Sequence, residues 1–166
     1  MTYDSTNHRY SIKASSNEGN HYAKWITTLT GKDNIRLSAE VMTNSLNSGN
    51  RFGLIVGDST AYKSMYFQIT TRLEQQTMVN TTETNVKNQN ISALANNTWF
   101  KMIYEVSGTS FTFKLLDMSD NVLHTETGTF PSTVITSSTN KRYGLYYLNY
   151  YASGTKYFRN IKAESL

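Results

Sequence analysis

Apolar and polar residues alternate with a period of two along most of the chain, while the period of a helix is almost absent. Alternation of this kind is typical of β-strands that bury one face and expose the other. The runs recur at roughly the 8–12-residue spacing of an all-β sandwich or barrel, and they predict about ten strands. The clearest runs cover residues 21–29, 35–41, 52–56, 65–69, 99–106, 110–116, 142–151 and 156–163.

Turn-forming residues separate these runs. The segment Ser107-Gly108-Thr109 predicts a short hairpin turn in which Gly108 supplies a positive φ. Asp117 and Asp120 predict a second turn, because Asp is favoured there. The chain shows no internal repeat, and its length suits one domain. We therefore predict an all-β fold over residues 1–166, a single two-sheet antiparallel β-sandwich that forms a module of a larger protein or assembly.

Composition and charge exclude several kinds of site. The 166 residues include no cysteine, so disulfides and thiolate zinc sites are absent. The net charge of +4 is dispersed along the chain. Nucleic-acid binding uses about six or more cationic contacts on one face, so we expect none here. No apolar run approaches the roughly 18 residues of a spanning helix, so we expect no membrane insertion. The first residues do not read as a signal peptide.

Residues 99–166 resemble the C-terminal half of the concanavalin A-like lectin/glucanase jelly roll, a fold also seen in laminin-G-like and many carbohydrate-binding modules. Residues 36–41 and 51–55 fit the same template. The segments that carry the resemblance are Trp99-Phe100-Lys101, Glu105-Val106-Ser107-Gly108, Phe111-Thr112-Phe113, Tyr143-Gly144-Leu145 and Tyr157-Phe158-Arg159-Asn160-Ile161. The resemblance implies a jelly-roll sandwich, an architecture that lectins, hydrolases, adhesins and virion proteins share.

Two departures from that superfamily bear on chemistry. Many members carry an Asp where this chain has Arg159, and that Asp often helps to hold a structural calcium ion. We predict no cofactor, with structural calcium as the alternative. The glucanase branch carries closely spaced carboxylates on one strand, whereas the acids here are scattered singly.

Glycoside hydrolysis needs two carboxyl groups about 5–9.5 Å apart. Glu40 and Glu105 could meet across a sheet, but charges on an exposed face explain them as well. His8, His21 and His124 lack the spacing of metal ligands. We therefore predict that the chain is not an enzyme and has no metal site, with a hydrolase as the third hypothesis.

A tyrosine-rich strand offers the most informative candidate site. If Leu145 faces the core, period two turns Tyr146 and, beyond Leu148, Tyr150 or Tyr151 toward solvent. Sugar rings stack on exposed aromatic rings, while neighbouring polar side chains bind their hydroxyl groups. Cross-strand pairing of tyrosines explains the run equally well. The residues that we predict to bind a ligand are Tyr146, Tyr150, Tyr151, Asn149, Trp25, Tyr66, Gln68, Arg36 and Glu40.

Two hypotheses follow for function. The first is a non-catalytic, lectin-like module that binds a polysaccharide or cell-surface glycan through exposed aromatic rings. The alternative is a phage tail-fibre or virion module that serves assembly and receptor attachment, with a homo-oligomer or virion proteins as partners. Both predict an extracellular, cell-surface or virion location.

Overall fold

The computed structural model describes residues 1–13, 20–47, 50–58, 63–80, 82–92, 94–135, 138–149 and 154–166. Within these ranges the chain forms strands and two 3₁₀ turns, Thr27–Leu29 and Ser138–Asn140. No helix among the described residues has the length and apolar character needed to cross a membrane. The strands are β1 (Thr2–Asp4), β2 (Arg9–Lys13), β3 (Asn20–Trp25), β4 (Asn34–Thr43), β5 (Asn50–Asp58), β6 (Ser64–Ile69), β7 (Leu73–Val79), β8 (Thr82–Gln89), β9 (Phe100–Ser107), β10 (Ser110–Leu116), β11 (Val122–Thr129), β12 (Lys141–Asn149) and β13 (Thr155–Ser165).

The strands form two antiparallel sheets. A seven-stranded sheet has the order β1-β2-β13-β4-β9-β10-β11, and a six-stranded sheet has the order β3-β12-β5-β6-β7-β8. The predicted two-sheet antiparallel β-sandwich is therefore confirmed. The described residues contain more strands than the predicted ten or so. One unpredicted strand is β1, whose three residues are too few to show alternation.

The core lies between the sheets and is built from alternate residues of both. Phe67 of the six-stranded sheet stacks on Phe113 of the seven-stranded sheet, with ring centroids 3.8 Å apart. Tyr104 meets Phe67 edge to face at 5.3 Å. Edge-to-face packing, as in the second pair, is a favoured geometry of aromatic rings. The alternation along the strands thus selects the face that each side chain occupies.

Both predicted turns are present. Gly108 has φ of +56° between β9 and β10, as the hairpin requires. The carboxylate of Asp117 accepts hydrogen bonds from the backbone N–H groups of Ser119 and Asn121. Asp117 therefore acts as a turn residue, and the hydrogen bonds from Asn121 lower its pKa.

The two long edges of the sandwich differ. At one edge β8 and β11 are joined by an ion pair between Lys87 and Glu126, beside which His124 Nε2 lies 3.4 Å from the same carboxylate. At the other edge, β3 and the β1–β2 hairpin flank a groove between the sheets. The groove at this second edge is lined by residues of both sheets.

Candidate functional site

A cluster of polar and aromatic side chains covers the outer face of the six-stranded sheet. We call it the outer-face cluster. Tyr66 alternates with core residue Phe67, so its ring lies on the side of the sheet away from the core. It stacks on Tyr146 with ring centroids 4.0 Å apart and an interplanar angle of 16°. The members of the cluster are Arg51, Tyr66, Gln68, Glu74, Gln76, Glu83 and Tyr146.

Hydrogen bonds connect the polar members of this cluster. Glu74 Oε2 accepts from the side-chain amides of Gln68 at 2.9 Å and Gln76 at 3.1 Å. Arg51 Nη1 donates to Glu83 Oε1 at 3.1 Å and to the side-chain oxygen Oε1 of Gln76 at 3.2 Å. The hydroxyl group of Tyr66 donates to Glu83 Oε1. Gln76 therefore bonds directly to Glu74, and its side-chain oxygen shares the donors Arg51 and Tyr66 with Glu83.

Burial decides what this cluster can do. Burial, the nearby Tyr146 and the hydrogen bond to Glu83 all raise the pKa of Tyr66, so its phenol stays protonated and acts as a donor. The carboxylates of Glu74 and Glu83 are engaged by neighbouring amide, guanidinium and hydroxyl donors. Among the described contacts, the buried carbonyl oxygen of Gln68 has no partner. The arrangement stabilises the sheet and offers little contact area to a large ligand.

The structure corrects the prediction that Tyr146 faces solvent. Leu145 faces the core as expected, and Tyr146 lies on the opposite face. Tyr146 is nevertheless 0% exposed. It is covered because Tyr66 stacks on its ring, and Trp25 packs against the same cluster.

The remaining aromatic predictions have different outcomes. The Cη2 atom of Trp25 would lie 2.8 Å from a Cβ at Gly57, so its indole ring extends across the outer face of the six-stranded sheet. Asn149 is the last residue of β12. Tyr150 and Tyr151 lie outside the described residues. Three predicted residues, Tyr66, Gln68 and Tyr146, are thus brought together, and Trp25 packs beside them.

Arg36 and Glu40 lie on the other sheet, on the outer face of β4. Arg36 Nη2 is 2.6 Å from Glu105 Oε1. Glu40 accepts hydrogen bonds from Arg159 Nε at 2.6 Å and from the side-chain amide of Asn160 at 2.8 Å. Both lie on a polar face, as predicted, but each is paired within the chain. The sandwich separates them from Tyr66 and Gln68, so the predicted residues do not form one site.

Arg159 occupies the position at which the resembling fold often has a calcium-binding Asp. Its guanidinium carbon lies 4.1 Å from the centroid of the Trp99 ring, and its charge faces Glu40. A cation held there disfavours a calcium ion at this position. Among the described residues, no three His, Asp or Glu side chains gather in a way that could hold a metal ion.

The groove at the open edge of the sandwich has a volume of about 640 Å³. We call it the edge groove. Tyr10 alternates with core residue Ile12, so its ring lies on the inner side of the seven-stranded sheet. Tyr3 is paired with Tyr10 in register, and their ring centroids are 5.0 Å apart with a tilt of 48°. Tyr3 is 52% exposed and Tyr10 39% exposed. The six-stranded sheet ends at β3, so these rings stay uncovered.

Lys24 forms part of the opposite wall of this groove. It is paired with Leu145 in the register of β3 and β12, and since Leu145 faces the core, Lys24 lies on the same side of its sheet. Its side chain is exposed, and the described residues provide it with no ion pair. The edge groove thus places an uncompensated cation across from two exposed rings.

The floor of the edge groove is formed by β13. The β2 strand pairs with β13 only as far as Phe158. The register of β13 with β4 shifts after Arg159, where Asn160 has φ of +48°. Ile161 lines the groove and packs against the core. This irregularity brings backbone polar groups of β13 to the groove beside an apolar side chain.

Tyr3, Tyr10 and Lys24 were not predicted from the sequence as site residues. The sequence contained one indication of the site, because Tyr10 lies two residues before the apolar Ile12 and so on the same face of the strand. That alternation predicts a buried ring at position 10. Only the tertiary structure shows that the six-stranded sheet ends at β3 and leaves the ring of Tyr10 uncovered.

Comparisons with known proteins establish the fold. No family model matches the sequence, and no curated protein matches it. Solved structures match instead. A functionally unknown protein from Saccharomyces cerevisiae is 9% identical, with a TM-score of 0.66 over 96% of this chain and 89% of that one. The carbohydrate-binding module CBM66 from Bacillus subtilis is 12% identical, with a TM-score of 0.58 over 95% and 83%. These likenesses show that the chain has the concanavalin A-like jelly-roll fold.

The comparisons also correct the prediction that the chain is not an enzyme. Family 7 alginate lyase A1-II' has this fold, with 9% identity and a TM-score of 0.63 over 95% of this chain and 79% of the lyase. Other matching structures are alginate lyases, a xylosidase and a GH43 protein. The lack of a strand with closely spaced carboxylates was therefore the wrong basis for predicting that the chain is not an enzyme. Glu74 and Glu83 both belong to the outer-face cluster, so strand pairing can bring scattered acids into one hydrogen-bonded network.

Proposed function

We propose that the chain binds a polysaccharide or a cell-surface glycan in the edge groove. The observation that carries this proposal is the pair of exposed rings, Tyr3 and Tyr10, on one side of the groove. The C–H face of a pyranose packs on such rings, and the tilt of 48° between them suits two successive sugars that are rotated relative to each other. Ligand sites commonly combine such apolar surface with a few polar groups.

Polar groups for the sugar hydroxyls surround these rings. Lys24 lies on the opposite wall, and His8 lines the groove with its Nδ1 atom 3.3 Å from the hydroxyl group of Tyr3. The backbone of Arg159 and Asn160 borders the floor. The similarity in fold to the carbohydrate-binding module CBM66 supports the proposal. A cell-surface or extracellular location, where such glycans occur, belongs to the same proposal. The alternative of a virion module stays a prediction, since no described contact bears on assembly.

Affinity electrophoresis tests the proposal. The wild-type chain is run in gels that contain xylan, a mixed-linkage β-glucan, alginate or polygalacturonate, and we expect retardation in at least one of them. Tyr10→Ala should then weaken binding about tenfold, which corresponds to ~1.4 kcal/mol. Tyr157→Ala is the matched control, because Tyr157 lies on the same sheet under Arg9 and does not line the groove.

Two results would contradict the proposal. One is the absence of retardation in every gel, and the other is loss of binding in Tyr157→Ala but not in Tyr10→Ala. The same incubations are assayed for new reducing ends and for absorbance of unsaturated products, which shows directly whether the chain also cleaves the glycan that it binds.

A further inference from the structure

The charged residues that line the edge groove have one sign. They are Lys24 and, through its backbone, Arg159, whose guanidinium lies on the outer face of its sheet beside Glu40. No Asp or Glu among the described residues lines the groove. The acids next to these cations are directed elsewhere. Glu40 is bonded to Arg159 and Asn160, and Asp4 is bonded to Arg9. A carboxylate or other anion in the groove would therefore meet no repulsion from its walls.

Among the described residues that line the groove, Lys24 is the cationic side chain that is free to bind an anionic ligand. The charge of Arg159 is balanced by Glu40, and the ring nitrogen Nδ1 of His8 lies 3.3 Å from the hydroxyl group of Tyr3. Lys24 is exposed and has no ion pair within the described part of the chain. Its Nζ atom can donate up to three hydrogen bonds, and an anionic ligand would accept them.

We propose that the edge groove selects a polysaccharide that carries carboxylates, that is, a polymer containing uronic acid residues. This inference rests on the proposed function. A uronic acid keeps the apolar C–H face that packs on Tyr3 and Tyr10. Its carboxylate projects from the edge of the sugar ring and would pair with Lys24, which lines the same groove. Aromatic stacking then provides contact with any pyranose, and Lys24 distinguishes charged sugars from neutral ones.

The size of the expected preference follows from the exposure of Lys24. Ion pairs in contact with solvent are screened and add little, so the acidic polymer should bind about threefold to fivefold more tightly than its neutral counterpart. The preference should also fall as salt is raised, since exposed charges are screened over about 10 Å at 0.1 M salt.

The experiment compares alginate, polygalacturonate and hyaluronan, each with its own carboxyl-reduced form, by titration with the wild-type chain and two variants. Lys24→Gln removes the groove cation. Lys13→Gln removes the same charge from the same edge of the sandwich, but Lys13 does not line the groove. We expect Lys24→Gln to lose threefold to fivefold in affinity for an acidic polymer and to bind the reduced form as the wild type does. Lys13→Gln should retain the preference.

Each outcome decides one point. Equal binding of every acidic polymer and its reduced form, or equal behaviour of Lys24→Gln and Lys13→Gln, overturns the preference for carboxylates while the proposed function stands. Dextran sulfate is titrated in the same series, and binding of it that is tighter than binding of all three uronates assigns the groove to sulfate and also overturns the preference for carboxylates. Failure to bind any polymer, charged or neutral, overturns the proposed function itself.

Discussion

The outer-face cluster and the edge groove each contain a pair of neighbouring tyrosine rings, yet only one pair is available to a ligand. Tyr66 and Tyr146 stack closely, are fully buried and are surrounded by polar side chains that bond to one another. Tyr3 and Tyr10 are tilted and substantially exposed, and they lie beside a lysine without an ion pair among the described residues. The difference shows that the alternation along a strand selects the face of a ring, whereas its exposure depends on the elements that cover that face.

The two regions should therefore respond oppositely to mutation. Changes in the outer-face cluster should act on stability, because its groups are satisfied by one another. Changes in the edge groove should act on binding and leave stability nearly unchanged, since surface substitutions usually have small effects on stability.

The largest effect is expected for Tyr66→Ala. This substitution removes a buried ring that stacks on Tyr146 and leaves Glu83 without its hydroxyl donor. We expect the free energy of unfolding to fall by about 3–5 kcal/mol, as for other buried aromatic residues. Urea denaturation measures it, with Tyr10→Ala as the control, for which we expect a loss below ~1 kcal/mol. Equal losses in the two variants would erase the distinction between the regions.

A second prediction compares a buried lysine with the exposed Lys24. Burial lowers the pKa of Lys156 to about 8, below its unfolded value of 10.5. The unfolded state therefore binds more protons between these values, so stability should rise as the pH increases from about 8 toward 10, by roughly 1–3 kcal/mol. Lys156→Met should remove this rise in urea denaturation curves, whereas Lys24→Gln should preserve it. A rise that persists in Lys156→Met would assign the pH dependence to other groups.

Gly144→Ala tests how the two regions are connected. A Cβ at this position would lie 2.4 Å from the backbone oxygen of Lys24, so the substitution should push β3 away from β12. We expect a loss of about 1–3 kcal/mol in the free energy of unfolding, together with weaker glycan binding because the wall of the groove moves. Thermal melting and affinity electrophoresis measure the two effects. Unchanged stability would mean that the edge strand adapts without strain.

The smallest effect is expected for Arg36→Gln. Arg36 was a predicted ligand-binding residue, but it is exposed and paired with Glu105 of the neighbouring strand, on the outer face of the seven-stranded sheet. We expect a change in stability of about 0–1 kcal/mol and no change in glycan affinity. A clear loss of affinity in titration would restore the outer face of β4 as a binding surface.

Period-two alternation was sufficient to predict the two antiparallel sheets, the hairpin at Gly108 and the facing of Leu145. It also placed Tyr66 and Tyr146 correctly on the outer face. It could not predict that they cover each other, because β6 and β12 are distant in sequence and are brought close through β5. The site at Tyr3 and Tyr10 depends on where the opposing sheet ends at β3. Both properties arise from long-range pairing, and local alternation contains no information about them.

The central claim is that ligand contacts are confined to the edge groove. Amide chemical shifts of ¹⁵N-labelled protein, recorded during titration with an oligosaccharide of the polymer that retards the chain, test it most directly. We predict changes in β1, in residues 8–10 and 24–26, and in residues 159–163. Changes centred on Tyr66, Gln76 and Glu83, with those groove segments unaffected, would contradict the account and place binding on the outer face of the six-stranded sheet.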